Sequence, residues 1–173
     1  TPGSWELSNG TIHGGTLQID AGESLIAFDT RNSRLDGVRV VGDIDLTAAT
    51  LRLNDVAIDG RVTLTGLGGG GFPVLPSTLA FDGTQTLRGH AEIVSLLPYL
   101  GTLEMETAGE LTLGADVWVH GAALDIGGSY AFSAPMQRLI NLGVIDADGP
   151  GGYRLQVVAE TFTNEGVIRA SGG

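Results

Sequence analysis

The chain repeats itself, and that constrains its fold more than any other feature. Residues 35–46 (LDGVRVVGDIDL) align with residues 53–64 (LNDVAIDGRVTL) at an offset of 18, matching Leu35/Leu53, Val38/Val56, Val40/Ile58, Gly42/Gly60, Ile44/Val62 and Leu46/Leu64. A second echo sets 141–147 (NLGVIDA) against 164–170 (NEGVIRA) at an offset of 23. A third sets Thr16-Leu17-Gln18-Ile19 and Gly22-Glu23-Ser24-Leu25 against Thr102-Leu103-Glu104-Met105 and Gly109-Glu110-Leu111. A β-sandwich needs no such repetition, whereas a solenoid requires it.

Within the repeats, apolar residues alternate with polar or small ones in short bursts closed by Gly or an Asn/Asp–Gly pair, which is the punctuation of strands and turns. Examples are Val38-Arg39-Val40, Ile44-Asp45-Leu46, Leu51-Arg52-Leu53, Val62-Thr63-Leu64 and Leu111-Thr112-Leu113. The best helical candidate is one or two turns within 93–99, limited by Pro98. Periods near 18–24 residues fit one coil of a parallel β-helix, whose equivalent strands stack about 4.8 Å apart. One coil cannot bury its apolar side alone, but stacked coils bury Leu, Val and Ile in continuous columns. The expected fold is therefore all-β: a single-stranded parallel β-helix (β-solenoid), one domain over 1–173, with about eight rungs. Right-handedness is expected from the general preference of parallel crossovers. Loop insertions fall near 68–78, 95–101 and 128–137, where Pro73, Pro76, Pro98, Pro135, Tyr99 and Tyr130 concentrate. Such insertions carry any binding face.

Composition narrows the function classes. The 28 Gly and 17% charged residues exclude an ordinary helical domain and a disordered chain, and no apolar run is long enough to cross a bilayer as a helix. Twenty carboxylates face nine basic groups, all Arg, for a net charge of −11. That charge repels phosphate backbones and argues against nucleic-acid or anionic-membrane partners, all the more because the Arg look scattered along the chain. Without cysteine there is no disulfide framework, thiol nucleophile or Cys-type zinc site. The opening residues lack the basic start and apolar stretch of a signal peptide, which fits a mature product or an excised piece of a larger protein. Neither end reads as a polar cap, so rungs are expected to continue beyond it.

Few residues point to chemistry. The run Gly68–Gly71 is followed by no Lys and opens no helix, so it reads as a loop rather than a phosphate cradle. Carboxylates at i and i+2 share one side of a strand, as in Asp43/Asp45, Glu104/Glu106 and Asp146/Asp148. Asp146 and Asp148 are the calcium candidates because they end in a Gly-rich turn, although two carboxylates fall short of the six to eight oxygens calcium takes. No other cofactor is indicated. Asp43, Asp45, Asp146 and Asp148 would be the candidates of a carbohydrate-active lyase or hydrolase. His13, His90 and His120 each stand alone beside a Gly, and the Thr-x-Thr triplets are too irregularly spaced for a flat ice-binding face.

The strings 139–145 (LINLGVI) and 162–173 (FTNEGVIRASGG), with Leu35-Asp36-Gly37-Val38 and Leu111-Thr112-Leu113-Gly114, resemble the Asn-x-Gly-x-Ile rungs of filamentous haemagglutinin-like and autotransporter-passenger surface proteins of bacteria. The resemblance implies a right-handed, exported scaffold displayed at the bacterial cell surface as a stalk, adhesin or fibre, and it transfers no functional residue. The expected function is an extracellular structural or adhesive module without catalysis, continuing end to end with itself or neighbouring repeats. The alternatives are a carbohydrate-active enzyme and a carbohydrate-binding adhesin of surface glycans. An exposed Trp5, Tyr99, Trp118 or Tyr130 in a loop-lined cleft would mark the adhesin.

Overall fold

The structure is a computed structural model that describes residues 3–28, 31–69, 72–96, 100–150 and 153–171. Among these the chain is all-β, without helix. It starts with β1 (Trp5–Glu6), β2 (Thr11–His13) and β3 (Thr16–Gln18), then β4 (Ser24–Phe28), β5 (Ser33–Asp36) and β6 (Arg39–Val41). Next come β7 (Asp43–Thr47), β8 (Thr50–Asn54) and the long β9 (Ala57–Thr65), followed by β10 (Leu67–Gly69) and β11 (Phe72–Leu75). The middle holds β12 (Ser77–Asp82), β13 (Gln85–Leu87), β14 (Ala91–Ser95), β15 (Gly101–Thr107) and β16 (Gly109–Leu113). After these lie β17 (Trp118–Gly121), β18 (Leu124–Ile126), β19 (Met136–Asn141), β20 (Val144–Asp146), β21 (Leu155–Val157), β22 (Thr161–Asn164) and β23 (Val167–Arg169).

The strands stack into parallel sheets visited in rotation. A first sheet runs β1-β4-β7-β9-β14-β17-β20-β23, and a second runs β2-β5-β8-β12-β15-β18-β21. A third side is made by β3-β6-β9 and by β13-β16-β19-β22, joined by a parallel bridge between Ala57 and Arg88. The 18-residue offset is the stacking register itself, since Leu35 pairs with Leu53, Val40 with Ile58, Ile44 with Val62 and Leu46 with Leu64. The 23-residue echo does the same, pairing Asn141 with Asn164, Val144 with Val167 and Ile145 with Ile168. Gly is required where these turns touch: a Cβ on Gly60 would collide with the Gly42 carbonyl, and one on Gly166 with the Gly143 carbonyl.

Alternation sends every second side chain inward. The first sheet contributes the column Leu25-Ile44-Val62-Ile93-Val119-Ile145, and the second contributes Leu51-Leu79-Leu103-Ile126, all nearly or wholly shielded from solvent. Burying each such side chain contributes about 1.5–3 kcal/mol. Coverage fails at the outer strands: Trp5 pairs with the buried Leu25 and Ile168 with the buried Ile145, yet they are 66% and 51% exposed.

Three sequence expectations are corrected. The third echo is not a stacking relation, because Thr16–Gln18 pairs on the third side with Arg39–Val41 whereas Thr102 and Leu103 pair in the second sheet with Thr78 and Leu79. The helical candidate fails where it is described, since Ile93–Ser95 closes strand β14, and 97–99 lie outside the described residues. The insertion near 68–78 is an antiparallel hairpin, β10–β11, running into β12 rather than a bare loop, and Gly70 and Gly71 lie outside the described residues. β10 and β11 pair antiparallel because only residues 70 and 71 separate them, too short a connection for a parallel crossover. The insertion near 128–137 is irregular until Met136 opens β19.

Candidate functional site

The outward side of the second sheet departs from the pattern of a bare strand surface. Arg34, Arg52, Ala80 and Glu104 stack in register along it, beside a second row of Thr50, Thr78, Thr102 and Asp125. Outward polar residues on a sheet normally meet water, but Thr78, Thr102 and Glu104 are buried. The cover is the insertion after β18. Both carboxylate oxygens of Glu104 accept backbone N–H bonds from it, Oε1 from Tyr130 and Oε2 from Ala131 and Phe132, each at 2.9 Å. Three consecutive N–H groups turned on one buried carboxylate form a nest that fixes this loop. The Thr78 and Thr102 hydroxyls bond each other beneath it at 2.8 Å.

A charge network anchors the other wall. Arg34 donates to Asp82 and, from Nη2, to both oxygens of Glu106, while Arg52 Nη1 donates to Glu106 Oε1 at 2.7 Å. The remaining donors of Arg52 reach the Arg31 carbonyl and the Asn32 side chain, and its guanidinium lies over the Phe132 ring at 5.2 Å. Arg52 thus ties three segments together: residues 31–32, β15 and the 128–135 insertion. Between them, with Leu75 of the hairpin as a third wall, opens a groove of about 340 Å³. Arg31, Asn32, Thr50 and Tyr130 line it, and Tyr130 is 58% exposed.

The sequence hides this site because its Arg look scattered along the chain. The structure gathers Arg31, Arg34 and Arg52 at one place. The signal was one residue upstream of the matched repeat, where the same offset of 18 stacks Arg34 on Arg52.

The first sheet carries a second polar cluster. His120 Nδ1 meets Asp148 at 2.9 Å, its Nε2 meets Glu92 at 3.0 Å, and Trp118 stacks on the ring at a centroid distance of 3.8 Å. Asp148 also accepts the Gly121 N–H at 2.8 Å. His120 is almost enclosed, clamped from both sides by acceptors. His13 meets Asp36 and His90 meets Asp59 elsewhere in the fold, so the three His do not converge.

The sequence-derived carboxylates are likewise apart. Asp43 accepts the Arg61 N–H and Asp45 the Ser24 hydroxyl, on β7. Asp146 sits four strand steps along the same sheet, about 19 Å away. It accepts from Arg169 and Ser171, while Asp148 serves His120. No group of three His, Cys, Asp or Glu able to hold a metal occurs among the described residues. Burial opposes ionisation of Asp146, but the Arg169 and Ser171 hydrogen bonds outweigh it and hold its carboxyl below the ordinary range. Asp36 is lowered by the Asn54 and His13 hydrogen bonds, and Asp59 by the His90 backbone N–H and by Arg39. Asp125 runs the other way: burial raises it, against the pull of Arg154.

Of the aromatic candidates, Tyr130 stands in a loop-lined cleft, Trp5 is exposed on the outermost strand of the first sheet, Trp118 is half-buried on His120, and Tyr99 lies outside the described residues. Comparison with family models, curated proteins and solved structures found no match to this chain.

Proposed function

We propose that the chain is a right-handed parallel β-helix of eight coils, and that it works as a non-catalytic structural and adhesive module on the outside of a bacterial cell, continuing end to end into further coils. One observation carries this reading. The outermost strands present the same inward columns as the strands before them, in register but uncovered. Leu155, Val157, Phe162 and Ile168 surround an apolar hollow of about 380 Å³ against Ile145, and a further coil laid on it would extend each column by one residue. The Asn ladder agrees. Asn141 donates to the Asn164 side chain at 2.7 Å, and Asn164 donates to the Gly166 carbonyl as Asn141 does to the Gly143 carbonyl. A third Asn would fit the ladder in the same way. The columns would seal the rod and the parallel backbone ladders would resist pulling along it. The resemblance to filamentous haemagglutinin-like and autotransporter-passenger rungs supports the export and display.

The test is negative-stain electron microscopy with size-exclusion chromatography over a range of concentrations. Filaments of axial repeat near 40 Å, lost in Ile168→Arg, are the expected result, the repeat being eight coils at about 4.8 Å. A compact monomer at every concentration, unchanged by that substitution, would overturn continuation through this face.

A further inference from the structure

We propose that the groove over the second sheet is a binding site for an acidic saccharide, one that carries a hexuronate carboxylate. The reading does not depend on whether the coils continue. Four observations converge on it.

The first is preorganisation. Tyr130 sits on an irregular loop, yet its backbone N–H and the next two are held by the buried Glu104 carboxylate. An exposed aromatic ring on a fixed backbone offers a flat apolar face at small entropic cost, which suits stacking on the C–H face of a sugar ring. The second is the lining chemistry. Thr50 and Asn32 supply hydroxyl and amide groups that can pair with sugar hydroxyls, and the volume is at the small end of the ~300–1,000 Å³ of ligand clefts, enough for about one or two sugar rings.

The third is charge. The chain holds 20 acidic and 9 basic residues, yet among the described residues the groove is lined by two Arg and no carboxylate. A local inversion of the overall sign selects an anionic ligand. The fourth separates the two cations. Arg52 is spent on Glu106, Asn32 and the Arg31 carbonyl, whereas the Arg31 guanidinium has no partner among the described residues. Arg31 is thus the group available to a ligand carboxylate, in the paired geometry that guanidinium and carboxylate favour. Arg52 acts through Arg31 and Phe132 as a positioning residue.

The experiment is calorimetric titration with digalacturonate and with the matching neutral galactose disaccharide, on the wild type, Arg31→Ala and Tyr130→Ala. The substitutions lie on exposed side chains outside the packed columns, and circular dichroism and the melting temperature check that each variant folds. Digalacturonate is expected to bind saturably and at least about tenfold more tightly than the neutral sugar, the factor of one charge-assisted pair. Arg31→Ala should remove that preference, Tyr130→Ala should weaken both sugars, and added salt should weaken only the acidic one. Equal binding of the two sugars would overturn the acidic specificity. Absence of saturable binding of either sugar, binding indifferent to Tyr130→Ala, or preference for an Asp/Glu peptide over digalacturonate would overturn the saccharide site.

Discussion

The first and second sheets share one interior and differ in what they show outside. Both send Leu, Ile and Val inward in registered columns, and both place polar residues outward. On the first sheet the outward residues Arg61 and Glu92 stay partly open to water, paired at 3.5 Å, although His120 and Asp146 farther along it are enclosed. On the second the outward residues are roofed by the 128–135 insertion, so Thr78, Thr102 and Glu104 are shielded from solvent. The interior thus sets the fold, and the 128–135 insertion decides which outward face is covered. The registered columns are nearly interchangeable from strand to strand, and the difference between the faces enters at the connections between strands.

The contrast can be broken from the inside or sharpened from the outside. Phe81→Ala in the second sheet removes a wholly buried ring stacked between Leu53 and Met105, and should cost about 3–5 kcal/mol in chemical denaturation. Glu104→Ala strips three backbone N–H groups of their acceptor without touching the columns. It should cost about 2–4 kcal/mol and open 128–135 to limited proteolysis before the rest of the chain unfolds. If Glu104→Ala leaves that loop as resistant as before, the nest is not what holds the roof.

Acid acts on both sheets. Asp36, Asp59 and Asp146 are held below their ordinary value of 3.8, so each contributes stability that is complete above that value and lost as pH falls through the lower folded value. Asp125 is raised, so its contribution is complete below 3.8 and lost as pH rises through the higher folded value. Asp125→Asn should therefore raise the melting temperature at neutral pH and leave it unchanged in strong acid, and a loss at neutral pH would contradict its being a desolvated charge. The smallest effect is reserved for the open face: Arg61→Ala should change stability by less than about 0.5 kcal/mol, as expected of an exposed pair. A larger loss would erase the distinction between the two faces.

The stacking was legible because it is written in the sequence as offsets. Leu35/Leu53 and Asn141/Asn164 match in residue type since the same inward slot recurs on the strand stacked next to it. The spurious echo of Thr16 and Thr102 shows the limit of that signal, because strand patterns in different sheets look alike and only strand pairing separates them. Tyr130 was legible as a residue that would matter if it stood exposed in a cleft. The cleft itself was not, because it depends on Glu104, which reads as one of an outward pair until a loop 26 residues later folds onto it. Arg31 and Arg52 meet for the same reason: their neighbourhood is made by stacking, and sequence distance hides it.

A distance measurement tests the central claim, parallel stacking of strands distant in the chain, most directly. The chain has no cysteine, so Asp43→Cys and Val167→Cys can carry two spin labels with no background. They lie on outward positions of β7 and β23, five strand steps apart along the first sheet though 124 residues apart in the chain. Pulsed electron resonance should give one narrow distribution centred at about 24 Å plus the label arms. A broad distribution, or a mean at about twice that distance, would contradict the stack.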